Sequence, residues 1–217
     1  MDIASLKIRL VVSEMFGQNS YVTHLDGHRD CIVVDPGFDP EAIIESLETE
    51  GLVPAAILNT HGHADHIAGN RALKDRWPEC SLVIGDGDEA KLTDATLNLS
   101  RPFGLDVTSP GADRVVQEGE VLSSAGVDLH VLAVPGHSAG HVAFVWKGSH
   151  PWVAFVGDVL FQGSVGRTDF PDGDAGLLAQ SIRTRLYTLP DDTVLLPGHG
   201  PRTTIGAEKR YNPFVRG

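Results

Sequence analysis

The sequence predicts a layered α/β domain, and three observations support this fold class. Short apolar runs typical of strands alternate with helix-like runs along most of the chain, which indicates helices packed on a sheet. The chain has 217 residues, which is near the upper size that one hydrophobic core supports. Its apolar fraction of 41% and charged fraction of 21% are those of an ordinary globular protein. We therefore expect a single domain over residues 1–217.

The first half of the chain opens with three short apolar runs. Turn residues separate them, among them Gly27 and the Asp35-Pro36-Gly37 stop, and this predicts an antiparallel opening. Helix-like and apolar runs then alternate. In order, the predicted elements are strands at residues 6–12, 21–25 and 31–35, a helix at 40–50, a strand at 55–58, a helix at 65–77 and a strand at 82–84.

The second half repeats the order of strand followed by helix. It is preceded by residues 93–110, which have mixed polarity and no sustained period, so we expect a loop there and assign it no function. The predicted elements that follow are strands at residues 127–134, 141–146, 152–156 and 193–196 and a helix at 175–187.

Charge and cysteine content restrict the partners and the setting. A formal net charge of −12 would repel a phosphate backbone, so nucleic acid is not an expected partner. No run reaches the roughly eighteen consecutive apolar residues of a membrane helix, and no basic and apolar leader opens the chain, so neither membrane insertion nor export is expected. The two cysteines, Cys31 and Cys80, do not indicate a disulfide framework. A reducing, cytoplasmic location is the expectation.

The run from Thr60 to His66 concentrates four metal-binding side chains. His61 and His63 are two residues apart and cannot share a helix face, but they can converge on one ion from a loop after a strand. Asp65 and His66 fall at the start of the next predicted helix, where a carboxylate is favoured by exposed backbone N–H groups. Three histidines and an aspartate within six residues predict a site for zinc, iron or manganese.

Three further candidate ligands, His137, Asp158 and His199, each follow a predicted strand. Because open α/β sheets bind ligands at the carboxyl ends of their strands, we expect these residues to meet the histidine cluster in one crevice. Five histidines and two carboxylates suffice for two adjacent metals that share Asp158. A metal lowers the pKa of bound water from about 15.7 towards 7, so metal-dependent hydrolysis is the predicted chemistry. The sequence contains no Gly-x-x-x-x-Gly-Lys phosphate-binding loop and no Gly-x-Gly-x-x-Gly dinucleotide fingerprint.

In their order along the chain, these motifs resemble the metallo-β-lactamase superfamily. The resemblance covers nearly the whole chain and implies an α+β fold, an αββα sandwich of two mixed β-sheets flanked by helices, with a metal site at one edge. It also implies two divalent transition metals, zinc first, with iron or manganese as alternatives. Seven ligands follow from it: His61, His63 and His137 for the first metal, Asp65, His66 and His199 for the second, and Asp158 as the bridge.

Within the superfamily, the segment from Gly157 to Phe170 and the ending Asn212-Pro213-Phe214 resemble the glyoxalase II group, in particular the short bacterial hydroxyacylglutathione hydrolases. The resemblance implies hydrolysis of a small-molecule glutathione thioester, S-lactoylglutathione, to lactate and glutathione by metal-activated water. Asp65 would also orient the attacking water. A thiol with a pKa near 8.5 leaves readily without a dedicated general acid.

The chain departs from the longer glyoxalase II enzymes, which carry a C-terminal helical domain that grips glutathione. Only residues 200–217 follow His199, so we expect no such domain here. Arg167 is our candidate substrate-binding residue, because a guanidinium can hold a carboxylate at two points. The alternative is that Arg167 pairs with Asp169 or another acidic residue as a structural link.

Two other functions are compatible with the same ligands. Persulfide dioxygenases of this superfamily also show a Gly-Arg-Thr-Asp-Phe segment like residues 166–170 and use one iron, which His61, His137 and Asp158 would hold here. A lactonase or another metal-dependent hydrolase is the second alternative.

Overall fold

The computed structural model describes residues 2–3 and 5–217, and two β-sheets lie at its centre. The first sheet contains seven strands in sequence order: β1 (Asp2–Ile3), β2 (Leu6–Val12), β3 (Asn19–Leu25), β4 (Asp30–Val34), β5 (Val53–Asn59), β6 (Ser81–Gly85) and β7 (Arg114–Val116). Strands β1 to β4 are antiparallel and β4 to β7 are parallel, so the sheet is mixed. This confirms the antiparallel opening that was expected.

The second sheet has six strands in the order β15-β14-β11-β10-β9-β8. It is also mixed, because β11 and β14 are parallel whereas the other neighbours are antiparallel. A separate hairpin is formed by β12 and β13. These strands are β8 (Val121–Ser124), β9 (Val127–Ala133), β10 (Val142–Trp146), β11 (Val153–Gly157), β12 (Leu160–Phe161), β13 (Ser164–Val165), β14 (Val194–Pro197) and β15 (Thr203–Thr204).

Helices cover the outer face of each sheet. They are α1 (Pro40–Glu50), α2 (Ala64–Ile67), α3 (Asn70–Arg76), α4 (Ala175–Thr184) and α5 (Ile205–Tyr211). Helix α1 ends at Gly51, whose φ of 66° lies in the left-handed region that glycine adopts without strain. Helix α4 begins where Asp174 accepts a hydrogen bond from the Leu177 N–H. Among the described helices, none is long and apolar enough to cross a membrane.

The hydrophobic core has three layers that follow from this architecture. A central cluster joins the facing sides of the two sheets, where Tyr21 of the first sheet contacts Phe155 of the second at 5.6 Å between ring centroids. Two outer clusters lie between each sheet and its helices. The central strands β10 and β11 are buried along their whole length, which explains why their sequences are continuously apolar rather than alternating. This is the αββα sandwich that the resemblance implied.

One predicted helix, residues 65–77, is wrong as a single element. The structure divides it into α2 and α3 at Gly69, whose N–H donates to the Pro36 carbonyl at 2.9 Å. A Cβ at Gly69 would lie 2.8 Å from the carbonyl oxygen of Gly37 and 3.0 Å from that of Pro36. The break therefore results from a close approach of two backbones, which apolar periodicity does not reveal.

Candidate metal centre

All seven predicted ligands lie at carboxyl ends of strands, along one edge of the sandwich. They come from four loops: His61, His63, Asp65 and His66 follow β5, His137 follows β9, Asp158 follows β11 and His199 follows β14. The four histidines nearest the core are almost fully buried, and the most exposed side chain of the set, that of His199, is 28% exposed. The structure thus brings residues from both sheets to one place.

The potential ligand atoms form overlapping groups in which all atoms lie within 4.8 Å of one another. The groups are His61 with His63 and His137, Asp65 with His66 and His199, and His61 with His66 and Asp158. The first two have the composition of the two implied ligand sets. In the first group, Nδ1 of His63 lies 2.9 Å from Nε2 of His137.

The Asp158 carboxylate lies between the two groups. Its Oδ1 is 3.4 Å from Nε2 of His66, and its Oδ2 is 3.5 Å from Nε2 of His199 and 3.8 Å from Nε2 of His137. Gly198 makes this approach feasible, because a Cβ there would stand 2.2 Å from Asp158 Oδ1 and 2.5 Å from His66 Cε1. A larger residue at position 198 would displace the central carboxylate.

Several buried polar atoms of the cluster have no hydrogen-bond partner among the described residues. They are Nε2 of His61, His63 and His66 and Oδ1 of Asp158. A buried polar atom without a partner costs about 1–3 kcal/mol, and unpartnered imidazole nitrogens beside a carboxylate are the donor set that zinc, iron and manganese accept. The residues present therefore fit divalent metal binding.

Asp35 orients His66 through a hydrogen bond, and it was not identified as a site residue from the sequence. Nδ1 of His66 donates to Asp35 Oδ2 at 3.0 Å, while the amide and hydroxyl of Thr60 donate to the two Asp35 oxygens at 2.7 Å each. Such a hydrogen bond fixes the orientation of the ring, so that Nε2 of His66 faces Asp65 and Asp158. The only signal in the sequence is that a buried strand ends on Asp-Pro-Gly, which we interpreted solely as a turn.

Replacing Asp35 with asparagine should weaken metal binding by about 10- to 100-fold, the usual effect of losing such a supporting partner. The asparagine side chain has no negative charge, and its NH2 group would face the Thr60 and His66 donors, which need an acceptor. Zinc affinity can be measured by competition with a chromogenic chelator. A matched control is Asp113→Asn, because Asp113 also accepts a backbone N–H and pairs with a lysine, but away from the metal centre. Unchanged affinity in Asp35→Asn would contradict the assigned role.

His137 and the loop after β13 are linked in the same way. Nδ1 of His137 donates to the Arg167 carbonyl at 2.8 Å, which leaves Nε2 directed at the cluster. The Phe170 ring contacts the rings of His63 and His137, with centroids 5.1 and 5.9 Å apart. The loop therefore orients ligands in addition to bordering the site.

Asp88, which no sequence motif indicated, ties the ligand loops of the two sheets together. Its fully buried carboxylate accepts hydrogen bonds from the Gly62 and Gly140 amides and the Ser138 hydroxyl, each at 2.8 Å, and pairs with Lys91 at 3.0 Å. Burial opposes ionisation, but Lys91 and the backbone donors hold the pKa of Asp88 below its ordinary value. A charged buried anchor thus fixes the loops that carry His61, His63 and His137.

His141 accepts a hydrogen bond from the backbone of Asp158, a role that its sequence position did not suggest. It is buried, its ring stacks on that of His61 at 4.7 Å, and its Nε2 accepts the Asp158 amide at 3.1 Å. The side chain therefore touches two candidate ligands without belonging to any of the ligand groups described above.

The electrostatic environment differs between the two groups. Burial, followed by neighbouring histidines, lowers the pKa of His61 strongly, and burial beside His137 lowers the pKa of His63 to about 3. These rings are neutral at pH 7, as metal ligation requires. For His66, burial opposes the charge, but Asp65, Asp158 and Asp35 raise the pKa well above its usual value.

The cluster forms the floor of a cavity of about 400 Å³. Apolar side chains dominate its walls. The floor contains His63, Asp65, His137, Asp158 and His199, and the walls include Phe16, Phe38, Leu99, Phe103, Leu105, Phe161, Val165, Arg167 and Phe170. Residues 93–110, for which the sequence indicates no function, supply several of these wall residues. An arrangement of clustered histidines and carboxylates under a small cavity is suited to metal-assisted chemistry on a small molecule.

Arg167 lies at this cavity, but its guanidinium is engaged. Nε and Nη2 each approach one oxygen of Asp169 at 2.7 Å, and the guanidinium lies 4.3 Å from the centre of the Phe170 ring. The structural pairing with Asp169 is therefore the arrangement present in this structure.

Comparison with known proteins identifies the family. The profile of the Metallo-beta-lactamase superfamily matches residues 15–199. The chain belongs to this superfamily. Hydroxyacylglutathione hydrolase GloC of Haemophilus influenzae is 38% identical over 217 residues, which cover 97% of this chain and 98% of that protein. Probable metallo-hydrolase YqgX of Bacillus subtilis is 37% identical over 188 residues, which cover 86% of this chain and 88% of that protein.

Two solved structures agree with the fold. The BLEG-1 B3 metallo-beta-lactamase aligns with a TM-score of 0.92 at 37% identity, covering 97% of this chain and all of that one. TTHA1623 in a di-iron-bound form aligns with a TM-score of 0.82 at 35% identity, covering 95% and 100%. The predicted superfamily, the sandwich fold and the metallo-hydrolase class are thereby confirmed.

Proposed function

We propose that this metallo-hydrolase cleaves thioesters of glutathione, with S-2-hydroxyacylglutathiones such as S-lactoylglutathione as substrates. The observation that carries the proposal is the convergence of seven candidate ligand side chains into overlapping groups, with five of the seven on the cavity floor. The similarity to the GloC hydrolase, which extends over nearly the full length of both chains, supports the choice of substrate.

We assign one metal to His61, His63 and His137 and a second to Asp65, His66 and His199, with Asp158 shared. Divalent metals bound there would lower the pKa of water and polarise the thioester carbonyl. The unpartnered nitrogens and the central position of Asp158 support this assignment.

The side chains of the cavity then have distinct tasks. Asp65 borders the cavity, and its Oδ2 lies 3.2 Å from Nε2 of His199, so we assign it to orienting the attacking water. The water oxygen adds to the carbonyl carbon and the water gives up a proton to solvent. The C–S bond then breaks, which leaves the acid as a carboxylate, and the sulfur departs as a thiolate that takes up a proton from solvent. Because a thiol has a pKa near 8.5, this leaving group needs no further acid from the protein.

Arg167 is the residue we assign to the glutathione part of the substrate. The guanidinium is more than half exposed and makes a bidentate pair with an equally exposed Asp169, so a substrate carboxylate can compete for the same donors. Water screens an exposed ion pair of this kind, so the exchange of partners costs little.

The proposal is tested by measuring the metal content of the purified protein together with three activities. These are S-lactoylglutathione hydrolysis, oxygen uptake with glutathione persulfide, and hydrolysis of a β-lactam. The β-lactam is included because the similar protein BLEG-1 is named a metallo-beta-lactamase. We expect thioester hydrolysis with two metals per chain. Oxygen uptake with one iron and no thioester hydrolysis would overturn the proposal in favour of a persulfide dioxygenase. Cleavage of the β-lactam alone would also overturn it.

A further inference from the structure

Three phenylalanines from separate parts of the chain meet beside the metal centre. Phe16 lies between β2 and β3, Phe38 precedes α1, and Phe103 belongs to a short helical turn in the segment 93–110. The ring of Phe16 is 5.7 Å from that of Phe38 and 6.0 Å from that of Phe103. Together with Leu99 and Leu105 they line the same cavity as the metal ligands. We call these five residues the apolar wall.

Two rings of the apolar wall are exposed, and two of its residues have a backbone conformation that bulky side chains disfavour. Phe16 is 50% and Phe103 is 59% exposed, although burial of a phenylalanine is strongly favourable. Phe16 and Leu99 both have a φ of 67°, a region that bulky residues rarely occupy. Only two other non-glycine residues of the described chain have positive φ, Asp35 and Ala125, and Asp35 also belongs to the metal centre. Strain of this kind concentrates at functional sites, so the wall resembles a prepared binding surface.

The charge of the cavity indicates what the wall contacts. None of the five wall residues is ionisable, and Arg167 is the only lysine or arginine among the described lining residues. Glutathione carries two carboxylates and an ammonium group, which lose solvation against an uncharged aromatic surface. The acyl substituent of a thioester is the part that can be apolar, and it stays close to the metal ligands because it adjoins the reacting carbonyl. The glutathione part is better placed towards Arg167.

We propose that the apolar wall is the acyl-group subsite and that it selects thioesters with an aromatic or other bulky apolar acyl substituent over those with a small one. This inference rests on the proposed thioester hydrolysis. An aromatic substituent can pack against the half-exposed rings of Phe16 and Phe103 and remove them from water.

S-mandeloylglutathione and S-lactoylglutathione are a suitable substrate pair, because they share the leaving group and the 2-hydroxyl and differ only in phenyl versus methyl. We expect kcat/KM to be at least about tenfold higher for the mandeloyl thioester, after correction for the hydroxide-catalysed rates of both compounds. Phe103→Ala should lower this ratio by about tenfold. The matched control is Phe214→Ala, because Phe214 is 63% exposed and does not line the cavity. The control should keep the wild-type ratio.

A binding measurement separates this inference from the proposed function. Calorimetric titration of the metal-loaded protein with mandelate and with lactate tests the wall whether or not either thioester is hydrolysed. Tighter binding of mandelate that is lost in Phe103→Ala supports the subsite, even if absence of thioesterase activity refutes the proposed reaction. Equal affinities for the two acids, equal kcat/KM values for the two thioesters, or the same ratio in Phe103→Ala and wild type would overturn the inference.

Discussion

Replacing Asp158 with asparagine should reduce hydrolytic activity by more than the roughly 10- to 100-fold that loss of a supporting partner causes. The carboxylate lies between the two ligand groups, within 3.4 to 3.8 Å of histidine nitrogens in both. The amide keeps the shape of the side chain but removes the negative charge that two divalent metals would share. The metal content of the purified variant, measured together with kcat, should fall below two ions per chain.

The control for this variant is Asp191→Asn. Asp191 is an exposed aspartate that pairs with Lys209 outside the cavity, so its replacement removes the same charge without touching the centre. We expect this variant to retain activity and both metals. Circular dichroism of the Asp158 variant should show a folded protein. Wild-type activity with wild-type metal content in the Asp158 variant would contradict the ligand assignment.

Removal of the metals should abolish activity and lower the melting temperature. Without metal, the buried Nε2 atoms of His61, His63 and His66 have no hydrogen-bond partner among the described residues, and metal binding to the folded state alone adds stability. For a metal present at about 1,000 times its Kd, the added stability is roughly 4 kcal/mol per site, which corresponds to roughly 8–16 °C in a protein of this size. Differential scanning calorimetry before and after dialysis against a chelator measures the change.

Re-addition of metals provides the control for chelation. Zinc, iron or manganese should restore both the melting temperature and the activity, whereas magnesium or calcium should not, because these ions prefer oxygen ligands and the centre is rich in imidazole. An unchanged melting temperature after complete removal of metal would show that the cluster is not a metal site.

The local pattern of apolar and polar residues was sufficient to predict most of the longer helices and strands. The predicted helix at residues 40–50 and strand at residues 6–12 coincide with α1 and β2. The short strands β7 and β8 and helix α5 were not predicted, because each is brief and depends on neighbours that are distant in sequence. The division at Gly69 was missed for a similar reason, since contact with Pro36 and Gly37 creates it.

The candidate site, like the fold, could be predicted only in part from the sequence. Four candidate ligands were recognisable because they lie within six residues, and the others because each follows an apolar strand. Their supporting residues carry no such signal. Asp35 lies 31 residues from His66 in sequence, and Asp88 lies 26 residues from Gly62 and 52 from Gly140. Only folding makes these residues neighbours.

The sequence by itself determined the superfamily, the order of most of the longer strands and helices and the choice of candidate ligands, because metal binding requires particular side chains and periodicity indicates which faces are buried. The tertiary structure alone decided which side chains orient those ligands and that the segment 93–110 helps to line the cavity. These features depend on contacts between residues far apart in the chain, and a contact of that kind leaves no local pattern.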